Sequence, residues 1–183
     1  VYKRQLLDSE SIQKVIKEIK PDYVFHLAAQ SYPKTSFDAP IDTYETNISG
    51  TSTLLEALKI YAKDSLIHIC ASSEVFGRVS KDKLPINEEC SFHPASPYAI
   101  SKVAAENVLI NLCELNKIEW VIAVPHNIIG PRQKYDDPFR NVVSIMINRM
   151  MQGKAPIIYG DGEQTRCFSY IDDCLSCLIP MLD

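Results

Sequence analysis

The chain has 183 residues, 46% of them hydrophobic and 23% charged, and a formal net charge of −4. That length holds one ordinary core, or one domain and part of another, and the composition is globular rather than disordered. The acidic balance argues against nucleic acid as the main partner, and no apolar run approaches a membrane span or forms a secretory leader, so a cytoplasmic protein is expected.

Residues 1–5, Val-Tyr-Lys-Arg-Gln, have no capping or periodic logic. They match one frame of a common sequencing-library transposon end and are expected to be a non-native scar. Asp8 and Ser9 can cap a helix whose stripe is Ile12, Val15, Ile16 and Ile19; Lys20-Pro21-Asp22 breaks it. Tyr23-Val24-Phe25-His26-Leu27 is a continuous apolar run, predicted as a buried parallel strand. It empties into Ala28-Ala29-Gln30-Ser31, small residues that let a ligand approach the backbone. Residues 33–40 are predicted as loop and 41–62 as one long helix. Leu66-Ile67-His68-Ile69-Cys70 is the next buried strand, ending in the polar group Ala71-Ser72-Ser73-Glu74. In open α/β sheets that end of a strand is where ligands sit.

Residues 78–95 are predicted as a polar loop. Ser96-Pro97 then reads as an N-cap and first helical position. Tyr98 and Lys102 follow, four apart and therefore on one helical face. An ammonium beside a phenol favours the phenolate, which makes Tyr98 a candidate general acid or base. The helix runs to about residue 115, and Trp120-Val121-Ile122-Ala123-Val124 is a third strand ending in Pro125-His126-Asn127. A loop over 130–138, a helix over 140–151, a short strand at Ile157-Ile158-Tyr159, a turn at Gly160-Asp161-Gly162, a strand over 166–170 and a final helix from Ile171 complete the reading.

Strands alternating with helices predict a doubly wound parallel α/β sheet. No G-x-G-x-x-G turn occurs, so either the sheet binds no dinucleotide or its first strands are missing. The six cysteines (Cys70, Cys90, Cys113, Cys167, Cys174, Cys177) are scattered and read as reduced thiols. The Cys174–Cys177 spacing lacks the second pair that a metal site needs. His26 and His68 fall in strands and are expected to be structural.

Six motifs occur in one order along the chain: His26-Leu27-Ala28-Ala29-Gln30-Ser31, Thr46-Asn47-Ile48-Ser49-Gly50-Thr51, Ser72-Ser73-Glu74-Val75-Phe76-Gly77, Ser96-Pro97-Tyr98 with Lys102, Pro125-His126-Asn127 with Gly130-Pro131-Arg132, and Tyr159-Gly160-Asp161-Gly162-Glu163-Gln164-Thr165-Arg166. Together they resemble the extended short-chain dehydrogenase/reductase family of nucleotide-sugar epimerases and dehydratases. The resemblance implies a Rossmann-type fold whose glycine loop and first strands lie upstream. Residues 6–130 would be part of an NAD-binding domain and 131–183 part of a nucleotide-sugar lobe. It implies NAD, with NADP as the alternative, a nucleotide-diphosphate sugar as substrate, and a homodimer formed through the two long helices.

By the same resemblance Ser72, Ser73, Glu74, Tyr98 and Lys102 are catalytic. Leu27, Ala28, Ala29, Gln30, Asn47 and Pro125, with Tyr98 and Lys102, line the cofactor. Asn127, Asn141, Val142, Ile157, Tyr159 and Arg166 hold the nucleotide diphosphate; no metal is implied. Taken without the motif, Asn47 need only bond within its helix. Phe76 departs from the family's usual Tyr, and Val124 stands where Arg is common. Ser73-Glu74 leans toward a 4,6-dehydratase such as those acting on GDP-mannose, because a 4-keto group acidifies the C5 hydrogen and a carboxylate can remove it. The stretch from Pro125 to Arg166 is more similar to UDP-sugar 4-epimerases, which need no C5 base, and decarboxylases also use Ser-Glu.

Overall fold

A computed structural model describes residues 5–136 and 141–182. Most of the expected scar and the expected helix start at residue 140 lie outside these residues. The chain divides into two units, one ending at Val124 and one beginning at Pro125.

The first unit is built on a parallel sheet. Strand β1 (Tyr23–His26) pairs with β2 (Leu66–Cys70), and β2 with β3 (Glu119–Ala123), both parallel, in the order β1-β2-β3. The three predicted apolar runs are therefore neighbours in one sheet. Ile67 and Ile69 of β2 face the helices α1 (Ser9–Ile19), α4 (Gly50–Tyr61) and α5 (Pro97–Asn116), where Ile16, Leu54, Leu55, Leu58, Leu109 and Cys113 complete the core. Leu55, Leu58, Ile67 and Leu109 are almost fully buried, each stabilising by about 1.5–3 kcal/mol relative to exposure.

Asp8 caps α1 by accepting from the Ser11 N–H at 3.0 Å, and Lys20, in the left-handed region at φ 47°, ends it before Pro21.

Burial of β1 differs from expectation. Only His26 is buried, while Tyr23, Phe25 and Leu27 are exposed. Among the described residues β1 is an edge strand, hydrogen-bonded to β2 alone. His68 of β2 pairs with Phe25 in register, their rings 5.0 Å apart. It is fully buried, and neither ring nitrogen has a partner.

One loop and one helix expectation change. Residues 33–40 hold the short helix α2 (Pro33–Asp38), started by Pro33 in its first turn. The expected single helix over 41–62 is α3 (Pro40–Tyr44), a π-helical turn (Glu45–Ser49) and α4. The π turn is what aims Asn47 out of the helical ladder.

The second unit contains β4 (Asn127–Ile129) parallel to β5 (Phe168–Tyr170), with α6 (Val142–Met151) and α7 (Ile171–Leu178). The sequence reading missed β4, whose three residues are too few to show a period. It also placed a strand at Ile157-Ile158-Tyr159, where the structure has irregular backbone without a ladder partner. Among the described residues no helix is long and apolar enough to cross a membrane.

Candidate active site

Asn47 organises the site in the first unit. Its Oδ1 accepts from the Gln30 N–H at 2.8 Å, and its Nδ2 donates to the Gln30 carbonyl at 3.0 Å and to Ser101 Oγ at 2.8 Å. Ser101 Oγ in turn donates to the Tyr98 carbonyl at 2.7 Å. One buried amide thus ties the carboxyl end of β1 to the first turn of α5, so the helix-internal role open to Asn47 is not the one it takes. Gln30 also turns inward, its Nε2 donating to Thr43 Oγ1 at 2.9 Å.

The start of α5 follows the sequence. Ser96 Oγ accepts from the Ala99 N–H at 3.1 Å, and Pro97 occupies the first turn. Tyr98 and Lys102 are both buried, at 7% and 9% exposure. Lys102 Nζ donates to the Cys70 carbonyl at 2.8 Å and sits 6.0 Å from the Tyr98 ring centre. The Tyr98 side chain lies near enough to Ser72 for that hydroxyl to favour the phenolate. Ser72 caps a short 3-10 turn (Ser73–Phe76), its Oγ accepting from the Glu74 N–H at 3.3 Å. The hydroxyl, the phenol and the ammonium therefore meet at the carboxyl end of β2. Glu74 is exposed and close enough for its charge to act on Tyr98.

The electrostatics correct one expectation. Tyr98 is not acidified in this structure: burial pushes its phenol above the ordinary value, against the lowering influence of Ser72, while Glu74 and Cys70 push the same way as burial. Lys102 is shifted down by burial, against the raising influence of Cys70 and Glu106. Its ammonium is engaged with a carbonyl and is not laid against the phenolic oxygen.

The turn after Ser72 depends on Gly77, at φ 57°. A Cβ there would lie 2.0 Å from the His93 carbonyl oxygen. The His93 N–H donates to the Val75 carbonyl at 2.9 Å, which holds the 78–95 loop beside the site.

A nicotinamide dinucleotide can be tested against these residues. The Lys102 ammonium has donors beyond the one given to Cys70, the Tyr98 phenol lies on the same face, and Leu27 and Ala28 are open at the end of β1. That set fits the ribose–nicotinamide end of such a cofactor. Among the described residues no glycine-rich strand-to-helix turn offers the N–H groups that hold a pyrophosphate.

In the second unit, Val142, Ile157 and Tyr159 line one cleft of about 420 Å³. Asn127, Asn141 and Arg166 do not. Asn127 Nδ2 donates to the Cys167 carbonyl at 2.9 Å, Asn141 caps α6 by accepting from the Val143 N–H at 2.9 Å, and Arg166 donates to the Thr165 carbonyl at 2.7 Å. Pro125 is half-buried at the start of this unit. The cleft adds Ile145, Met146, Arg149 and Lys154, which the sequence reading did not single out. Helical spacing from Val142 through Ile145, Met146 and Arg149 was the signal that could have found the α6 members. All six cysteines are free, and no described cluster of His, Cys, Asp and Glu could hold a metal ion.

Comparison with known proteins extends this picture. The family model for GDP-mannose 4,6 dehydratase matches residues 1–183. A UDP-glucose 4-epimerase of Mycolicibacterium smegmatis is 32% identical over 179 residues, covering 97% of this chain and 55% of that protein. The crystal structure of a UDP-glucose 4-epimerase from Thermotoga maritima with UDP-glucose superposes with a TM-score of 0.93 at 30% identity, covering all of this chain and 58% of that one. A dTDP-glucose 4,6-dehydratase from Bacillus anthracis, solved in complex with NAD, superposes with a TM-score of 0.85 at 27% identity, covering 98% of this chain and 53% of that one. The chain thus spans little more than half the length of these relatives.

Proposed function

The chain belongs to the GDP-mannose 4,6-dehydratase family of extended short-chain dehydrogenase/reductases, and from that premise we propose that the whole protein is an NAD-dependent nucleotide-sugar 4,6-dehydratase working through a 4-keto sugar. The observation that supports this reading is the convergence of Ser72, Tyr98 and Lys102 at the carboxyl end of β2, with the Glu74 carboxylate near enough for its charge to act on Tyr98. NAD, when bound, supplies the hydride acceptor and returns the hydride later. Tyr98 takes the proton of the sugar C4 hydroxyl, and Ser72 hydrogen-bonds the same oxygen. Lys102 holds the nicotinamide ribose and keeps a positive charge near the phenol. Burial holds the Tyr98 proton in the chain as it stands; a cationic nicotinamide bound beside it would add a positive charge that favours the phenolate.

Once C4 is a ketone, Glu74 removes the C5 proton and the C6 hydroxyl departs with a proton as water, leaving a C5–C6 double bond that takes the returned hydride at C6 and a proton at C5. The first unit serves as cofactor domain and the second as nucleotide-sugar lobe, with Val142, Ile157 and Tyr159 on the nucleotide. The protein works in the cytoplasm as a homodimer. A second reading, a UDP-sugar 4-epimerase, is favoured by the likeness to the Thermotoga epimerase; there Glu74 positions the sugar and no C5 proton moves.

The test is incubation of the enzyme, NAD and nucleotide sugars in deuterated water. Deuterium at C5 with wild type, and none with Glu74→Gln, is expected. Tyr98→Phe should lower the oxidation rate by ~10²–10⁴-fold, the usual contribution of a general acid–base group. Inversion at C4 without label at C5 would select the epimerase reading.

A further inference from the structure

Glu106 lies one helical turn beyond Lys102 on the same face of α5, and it is 5% exposed. Its Oε1 is buried without a hydrogen-bond partner. A carboxylate so placed is costly unless a positive charge compensates it. The ion pairs Lys59–Glu56 and Lys134–Asp136 are both at the surface, and neither involves Glu106. Glu106 and Lys102 therefore attract each other through the protein rather than in direct contact, and their influence is mutual: Lys102 lowers the proton affinity of Glu106, and Glu106 raises that of Lys102.

The surroundings leave few other partners. α4 presents Thr51, Leu54, Leu55 and Leu58, none of them ionisable. The other titratable groups around Lys102 are His26 at the end of β1, Cys70 at the end of β2 and Tyr98 on its own helix. His26 Nε2 is taken by Thr51 Oγ1 at 2.9 Å; that hydroxyl donates to the Asn47 carbonyl at 2.7 Å, so His26 is the donor in their bond, and burial, which lowers it to about 4, keeps the ring neutral at pH 7. α3 contributes no buried charge, since Asp42 is exposed.

We propose that Glu106 is a positioning residue for Lys102, a buried carboxylate one helical turn away on the same face whose charge favours the ammonium form. Burial pushes the Glu106 carboxyl up to about 7, so the charge it provides rises as pH passes through neutrality. The catalytic use of that charge rests on the reading of Lys102 given above; the pairing does not.

The experiment is an NMR titration of the chain labelled with ¹³C,¹⁵N-lysine, the Lys102 signal being assigned through Lys102→Arg. In Glu106→Gln the Lys102 titration should move to lower pH, because the charge that raises it is gone. Glu106→Asp keeps the charge and should restore most of the shift. The ¹³Cδ signal of Glu106 in wild type should titrate near neutrality. An unchanged Lys102 titration in Glu106→Gln, with a native amide spectrum, overturns the proposal. If Glu106→Gln does not fold, a wild-type Glu106 that titrates as an ordinary solvated carboxyl overturns it equally. Absence of activity on every nucleotide sugar would refute the functional reading and leave these titrations intact.

Discussion

Among the described residues, every buried side chain belongs to the unit ending at Val124, and the unit beginning at Pro125 has none. The candidate groups differ accordingly. Ser72, Tyr98 and Lys102 are fixed by a closed core and by the Asn47 and Ser101 bonds that bind β1 to α5. Val142, Ile157 and Tyr159 are all exposed, and the polar groups around them bond mainly to nearby main chain, as Arg149 does to Ala155 and Gln164 to Tyr159. A reacting centre has to be held rigid before substrate arrives, whereas a recognition surface can be ordered by the ligand it binds at an entropic cost. On the proposed function, the two units would divide those tasks.

The largest expected effect breaks the comparison at its root. Leu58 is fully buried, and Leu58→Ala should cost about 2–5 kcal/mol by leaving a cavity in the core. Ile158 is 58% exposed, and Ile158→Ala should stay within about 0.5 kcal/mol. Urea unfolding of both variants measures the contrast. Equal losses would mean that the second unit has a core of its own.

The first unit was legible in the sequence because its signals are long. Three apolar runs, a Ser-Pro cap and a Tyr–Lys pair one turn apart gave the parallel sheet and the convergence of Tyr98 with Lys102. The openness of β1 was not legible, because Tyr23-Val24-Phe25 looks the same whether one face or both are covered. Nor was the Asn47 amide, whose partners are 17 and 54 residues away along the chain. In the second unit the signals were short. β4 has three residues, and an apolar triplet at 157–159 was mistaken for a strand because local preference says nothing about whether a ladder partner exists. The expected acidity of Tyr98 failed for a different reason: spacing places Lys102 on the right face but does not reveal that both groups are buried.

A smaller effect sharpens the comparison through pH, since the strongly perturbed His26 and Glu106 are in the first unit. Burial lowers His26 to about 4, so its stabilisation is full above 6.5 and is lost as pH falls toward 4. His68, also buried, is shifted in the same direction. Glu106 is raised to about 7, so its contribution is full below 4.5 and is lost as pH rises through neutrality. Between 4.5 and 6.5 the Glu106 slope opposes that of the histidines. Removing it with Glu106→Gln should steepen the rise of stability with pH by about 1.4 kcal/mol per pH unit, one proton's worth. Urea midpoints across that window read the slope directly. Parallel profiles for wild type and variant would show that Glu106 titrates alike in the folded and unfolded chains.

The smallest expected effect compares the same chemistry in both units. Ser96 caps α5 from a buried position, and Asn141 caps α6 from a half-buried one. Replacing either cap by Ala removes one acceptor from a helix start and should cost about 1 kcal/mol locally. In the first unit that cost is shared by the whole core, because α5 packs on α4 and on β3. Ser96→Ala should therefore lower the global unfolding midpoint and shift the Tyr98 environment with it. In the second unit α6 has no buried residue through which a loss could spread. Asn141→Ala should leave the global midpoint in place and instead speed amide exchange in the first turns of α6, near Ile145, whose N–H bonds the Asn141 carbonyl at 3.3 Å. Exchange measured residue by residue on both variants distinguishes the two behaviours. If Asn141→Ala lowers the global midpoint as much as Ser96→Ala does, the units unfold together, and the geometry of the 420 Å³ cleft is as firmly set as that of Tyr98 and Lys102.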